Sequence, residues 1–227
     1  LIICLVTDRR RLAPADAPLD VSRRCLVAQA RHAVDAGIDL IQVRERDLEA
    51  AELAEVVTDL VAVTRGTSTR VVVNDRLDIA LACAADGVHL RADSIGVEAA
   101  RRLAPHRFLI GRSIHGPAEA AQAAGADYVI AGTVFPTESK RAEQVLLGLD
   151  GLGAVVAAIR VPVLAIGGIT NHRFEQVAAT GAGGIAAIGL FLGSGAVRLD
   201  SEPACRAIPL AAVADRARAL FGPGGRP

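Results

Sequence analysis

Short, β-branched apolar runs alternate with alanine-rich stretches of helical period along the whole chain. The runs cover residues 1–8, 39–44, 70–75, 87–90, 108–114, 128–134, 161–168 and 183–189. Continuous apolar stretches such as Val71-Val72-Val73 and Val163-Leu164-Ala165-Ile166 suit parallel strands covered on both faces. Between them, apolar positions three and four residues apart predict helices over 22–36, 49–65, 77–84, 97–103, 117–124, 151–160, 171–180 and 203–220. Three of these helices end in a similar phrase: Asp35-Ala36-Gly37-Ile38, Ala124-Gly125-Ala126-Asp127 and Thr180-Gly181-Ala182-Gly183. Each glycine is placed to take the left-handed conformation that stops a helix and turns the chain back. Eight strand–helix units punctuated in this way predict an α/β fold, a closed (β/α)₈ barrel forming a single domain over residues 1–221. A doubly wound open sheet would carry fewer strands and a glycine-rich fingerprint after the first. Thr7-Asp8-Arg9-Arg10 has no such fingerprint. Two stretches break the rhythm, a long loop after strand six and a tail, 222–227, that reads as disordered.

Composition narrows the function. The chain has 227 residues, with 25 basic and 25 acidic side chains and 3% aromatics. That balance predicts no nucleic-acid surface, which would need a basic stripe and stacking rings. No apolar run reaches the length of a membrane span, and Leu1-Ile2-Ile3-Cys4-Leu5-Val6 reads as a first buried strand. The four cysteines (Cys4, Cys25, Cys83 and Cys205) are scattered and form no CxxC pair, so each is read as a buried hydrophobe rather than a disulfide or metal ligand. Free thiols favour a reducing, cytoplasmic setting.

Polar side chains gather where a barrel does its chemistry, at the carboxyl ends of the strands. Strand two ends in Gln42-Val43-Arg44-Glu45-Arg46, strand three in Asn74-Asp75-Arg76, and strand four in His89-Leu90-Arg91-Ala92-Asp93-Ser94. Strand five carries Gly111-Arg112-Ser113-Ile114-His115, and strand six runs into Thr137, Ser139 and Lys140. Strands seven and eight end in Gly167-Gly168-Ile169-Thr170 and Ile188-Gly189. The helix-to-strand turns at the opposite end are plain Ala, Gly and Asp. Lys140 is the only lysine in a chain that otherwise uses arginine, and a compact ammonium suits a phosphate oxygen.

Two anion sites follow. Gly167, Gly168, Ile188 and Gly189 form the first, where bare backbone amides can meet a phosphate and Asn171 can cap the next helix. Gln42, Arg44, Arg46, Asn74, Ser113, Thr137, Ser139 and Lys140 form the second, which would suit a diphosphate. Asp75 stands there either as a Mg²⁺ ligand or as the N-cap of a helix. Of the histidines, His32 and His106 read as surface residues and His172 as part of a first helical turn. His89 reads as a core histidine, and His115 is the better acid/base candidate.

Read in order, these strand ends resemble those of thiamine phosphate synthase and its TenI-type relatives. The carriers are Gln42-Val43-Arg44-Glu45-Arg46-Asp47-Leu48, Asn74-Asp75-Arg76, Asp86-Gly87-Val88-His89-Leu90, Gly125-Ala126-Asp127-Tyr128, Phe135-Pro136-Thr137-Glu138-Ser139-Lys140 and Ala165-Ile166-Gly167-Gly168-Ile169. The resemblance implies a transferase that joins an aminopyrimidine methyl diphosphate to a thiazole phosphate, releasing diphosphate and forming thiamine phosphate. It implies Mg²⁺ as cofactor, held by Asp75 and Asp93, and small phosphorylated molecules as partners. Lys140, Arg44 and Ser113 would act in the reaction, and self-association is open to such a protein. The loop around 138–144 would be a lid that keeps water from a reactive cation.

The chain also departs from that pattern. Arg46 replaces a usual lysine, and Gly189 a usual serine. Arg91-Ala92-Asp93-Ser94 replaces a Gly-Gln-Glu-Asp type loop, so an acid is present one position early and Arg91 brings a positive charge near the metal. Two alternatives come with the resemblance. One is a thiazole tautomerase using His115 or His89, although its usual histidine on strand six is Thr133 here. The other is a binding protein for thiamine phosphate that has lost turnover.

Overall fold

The computed structural model describes residues 1–137, 145–192, 205 and 210–221. Eight parallel strands close on themselves in sequence order: β1 (Ile2–Val6), β2 (Leu40–Val43), β3 (Arg70–Asn74), β4 (Gly87–Leu90), β5 (Leu109–Ile114), β6 (Tyr128–Gly132), β7 (Val163–Ile166) and β8 (Gly184–Ala187). The ring closes where Ile3 pairs with Ile185 and Cys4 with Ala186. Around it lie α1 (Arg9–Leu12), α2 (Leu19–Asp35), α3 (Ala50–Thr64), α4 (Leu77–Ala82), α5 (Val97–Leu103), α6 (Gly148–Ala158), α7 (Phe174–Ala179) and α8 (Leu210–Phe221).

Strand alternation divides the apolar residues between two cores. Cys4, Val6, Leu40, Val72, Tyr128, Ile130, Leu164 and Ala186 fill the barrel interior. Ile3, Leu5, Ile41, Val71, Val73, Val129 and Ile185 point outward to the helices. Interior space is managed by size. A Cβ on Gly111 would lie 2.2 Å from Tyr128 Cζ and 2.5 Å from His89 Nδ1, so only glycine admits both rings.

The glycines that end the three matching phrases have φ of 65°, 79° and 80° at Gly37, Gly125 and Gly181, the left-handed stop that the pattern predicts. The aspartates before β2, β4 and β6 are not plain turn residues. The Asp39 carboxylate accepts from the Ile3 amide (2.9 Å), Asp86 from Val71 (2.8 Å) and Asp127 from Ile110 (2.7 Å). Each carboxylate thus fastens the start of one strand to its predecessor.

Several expectations need correction. The stretch 117–124 forms a 3-10 helix over Pro117–Ala123, and α1 has no counterpart in the expected pattern. Helix seven is split into a 3-10 turn, Asn171–Arg173, and α7, and Asn171 caps neither. Cys25 and Cys205 are bonded, Sγ to Sγ, across 180 residues of sequence, while Cys4 and Cys83 stay free. The spacing hides this bridge because 180 residues of sequence separate the two thiols. The tail 222–227, Ser139, Lys140 and the expected lid lie outside the described residues.

Candidate active site

The carboxyl ends of the strands open into a cavity of about 1130 Å³. Gln42, Arg44, Arg46, Asn74, Ser113 and Thr137 line it, as do Gly167, Gly168, Ile188, Gly189, His89, His115 and Asp93. A second hollow, about 950 Å³, lies on the outer wall between α2 and α3. Arg23 clasps Glu55 and Asp59 there, so its charges are already satisfied.

Side chains just past β1 and β2 fasten the strand ends that carry the arginines. Glu45, 5% exposed, accepts from the Thr7 hydroxyl (2.7 Å) and the Arg9 amide (3.1 Å). Thr7 in turn accepts from the Arg44 amide (2.9 Å), so the end of β2 is laced to the end of β1. Arg44 is half-buried, and burial together with nearby Arg46 lowers its pKa. A partly desolvated guanidinium beside a like charge is a place that an anion would relieve.

Gln42 is 3% exposed, and its Nε2 donates to Asn74 Oδ1 (3.0 Å). Its Oε1 is buried and has no hydrogen-bond partner among the described residues. An acceptor left open in a cavity wall calls for an N–H donor on the ligand, not for a phosphate oxygen.

His89 is 1% exposed, and burial, reinforced by Arg112, lowers its pKa to about 3. The neutral ring offers one donor and one acceptor. Its Nδ1 lies 3.3 Å from the Tyr128 hydroxyl and its Nε2 lies 2.8 Å from Ser113 Oγ. Burial also raises the Tyr128 pKa, so the phenol keeps its proton and can donate to Nδ1. In that tautomer Nε2–H donates to Ser113, which leaves the serine hydrogen free to point at a ligand. His115 is exposed at the cavity mouth, and its Nδ1 donates to Gly132 O (2.6 Å).

Gly167 and Gly168 have φ of 99° and 61°, and a Cβ at Gly168 would meet Pro136 O at 2.5 Å. The turn therefore presents bare backbone to the cavity. Two arginines that the sequence reading missed stand beside it. Arg11 in α1 lies 3.5 Å from the position of a Cβ on Gly189, so its guanidinium occupies the space beside that glycine. Arg173 donates to Gly168 O (2.6 Å) and sits 4.4 Å above the Phe135 ring centroid. The run Arg9-Arg10-Arg11 directly after a strand was the available signal for Arg11.

The carboxylates after β3 and β4 do not present a metal site as they stand. Asp75 has φ 65°, its Oδ1 accepts from the Ser94 hydroxyl, and Arg91 reaches its Oδ2 at 3.5 Å. Asp75 does not cap α4, whose N-cap is Arg76. The other terminal nitrogen of Arg91 pairs with Asp93, so a guanidinium lies between the two expected ligands. Among the described residues no group of three or more metal-binding side chains comes together.

A family model described as thiamine monophosphate synthase matches residues 5–191. The chain belongs to that family. It is 46% identical over 166 residues to the thiamine-phosphate synthase of Methanoregula boonei, covering 72% of this chain and 77% of that one. It is 38% identical over 211 residues to a putative thiamine-phosphate synthase of Geobacter sulfurreducens, covering 92% of each. A solved thiamine phosphate pyrophosphorylase from Pyrococcus furiosus superposes with a TM-score of 0.73 at 32% identity, covering 97% of this chain and 95% of that one.

Proposed function

We propose that this chain is a thiamine-phosphate synthase, a transferase of thiamine biosynthesis that joins an aminopyrimidine methyl diphosphate to a thiazole phosphate. Membership of the family, with relatives named as synthases at 36–46% identity, supports the chemistry. The observation that carries the reading is a single cavity with two cationic arcs and an open acceptor between them. Arg44, Arg46 and Arg91 stand on the β2–β4 arc, suited to a diphosphate. Arg11 and Arg173 flank Gly167, Gly168 and Gly189 on the β7–β1 arc, suited to a monoester. Gln42 Oε1 would accept from the exocyclic amine of the pyrimidine.

In this scheme the methylene carbon–oxygen bond breaks and diphosphate leaves with the electron pair. The thiazole nitrogen then attacks the methylene carbon and forms the new carbon–nitrogen bond. No strong base is needed. Arg44, Arg46, Asn74 and the Ser113 hydroxyl would stabilise charge building on the diphosphate oxygens, with Thr137, Ser139 and Lys140 completing the set. Val6, Ile130 and Ile166 would keep the cationic carbon from water. Magnesium belongs to this chemistry in the family pattern, but Asp75 and Asp93 are engaged elsewhere here, so no step is assigned to it. Small, charged substrates suit a cytoplasmic location. No helix of the described residues is long and apolar enough to cross a membrane. The Cys25–Cys205 bridge removes free thiols at those positions as an argument for that location.

Purified protein given both substrates should form thiamine phosphate and release one diphosphate per product. Arg44→Gln should cut kcat/KM by roughly a hundredfold, as expected for removing a charged donor from the developing charge. Interconversion of thiazole isomers without condensation would instead establish the tautomerase, and tight product binding with neither reaction the inactive binder.

A further inference from the structure

The loop after β4 is built to hold a cation at the diphosphate end of the cavity. Arg91 lines that cavity together with Arg44 and Arg46. Its guanidinium is held between the Asp75 and Asp93 carboxylates, and its backbone amide donates to Ser94 Oγ at 2.8 Å. Ser94 closes the arrangement by donating to Asp75. The loop is also tied from beneath. Arg112, 4% exposed, donates to Ile95 O and to Ala92 O, both at 2.9 Å.

This loop has no slack in which to hold a guanidinium in one place and a divalent ion in another. An ion between Asp75 and Asp93 would have to displace Arg91 against like-charge repulsion and take one carboxylate from a serine. Pairing with Asp75 and Asp93 uses one hydrogen on each terminal nitrogen of Arg91. The second hydrogen on each remains available for a diphosphate oxygen, in the forked geometry that arginine offers and an ammonium does not.

We propose that Arg91 is a built-in counter-charge for the leaving group, so that this chain binds diphosphate without a divalent ion. The inference rests on the transferase reading above and deepens it at the diphosphate end.

Calorimetric titration of the full-length protein with inorganic diphosphate tests it. In EDTA the wild type should bind within about threefold of its affinity in millimolar Mg²⁺. Arg91→Gln, with its fold checked by circular dichroism, should bind about tenfold more weakly in EDTA. A second variant, R91G with S94D, frees Asp75 and Asp93 of their guanidinium and adds a third carboxylate beside them, and should bind diphosphate only when Mg²⁺ is present. Wild-type affinity that falls more than tenfold in EDTA, or Arg91→Gln that keeps wild-type affinity there, overturns the proposal and leaves the transferase standing. No diphosphate binding under either condition removes both.

Discussion

At the scale of single residues, His89 links folding to pH. Its pKa lies near 3 in the folded chain, against an ordinary value of 6.5. The unfolded chain therefore takes up a proton that the folded chain refuses. Stability is complete above about pH 6.5 and falls as the pH drops below it, by about 1.4 kcal/mol per unit. Between neutral pH and pH 5 the loss from this residue should reach about 2 kcal/mol. Urea midpoints at pH 7.5 and 5.0 check it. His89→Gln should flatten the difference, and an unchanged slope would mean that other groups set the acid limb. Its cost at neutral pH should come from the lost contacts to Tyr128 and Ser113.

Among the elements, the β7-to-α7 connection is the least tolerant of added atoms. A methyl group at position 168 would collide with Pro136 O and require an alanine at φ 61°. Gly168→Ala should therefore cost about 1–3 kcal/mol in stability. It should also raise KM for the thiazole phosphate about tenfold, if removing one amide contact is the main effect, while leaving KM for the pyrimidine diphosphate nearly unchanged. Equal increases in both constants would show that the turn supports the whole cavity, not one end of it.

Across the whole molecule, much of the architecture was readable because strand and helix periods depend on local sequence. The eight apolar runs became the eight strands, and the unit count led directly to closure. Polar residues at strand ends could be assigned to one cavity because a barrel leaves them nowhere else to converge. Pairings between side chains far apart in sequence were hidden. The Cys25–Cys205 bond joins residues 180 positions apart, which no local pattern reports. The position of Arg91 between Asp75 and Asp93 depends on the path of one loop, and Arg11 depends on a short helix that the apolar pattern does not announce. The aspartates before β2, β4 and β6 looked like turn residues because their partners lie on the preceding strand.

Those three aspartates also divide the barrel wall into joints of unequal strength. The β1/β2, β3/β4 and β5/β6 joints carry a carboxylate clasp at their base. Among the described residues, no such clasp is seen at β2/β3, β4/β5 or β6/β7. Partial opening should therefore begin at those unclasped joints and release β1–β2, β3–β4 and β5–β6 as pairs. In native-state deuterium exchange, the amides of Ile3, Val71 and Ile110 should be among the last in their strands to exchange, and Asp86→Ala should speed exchange at Val71 while leaving Ile3 and Ile110 slow.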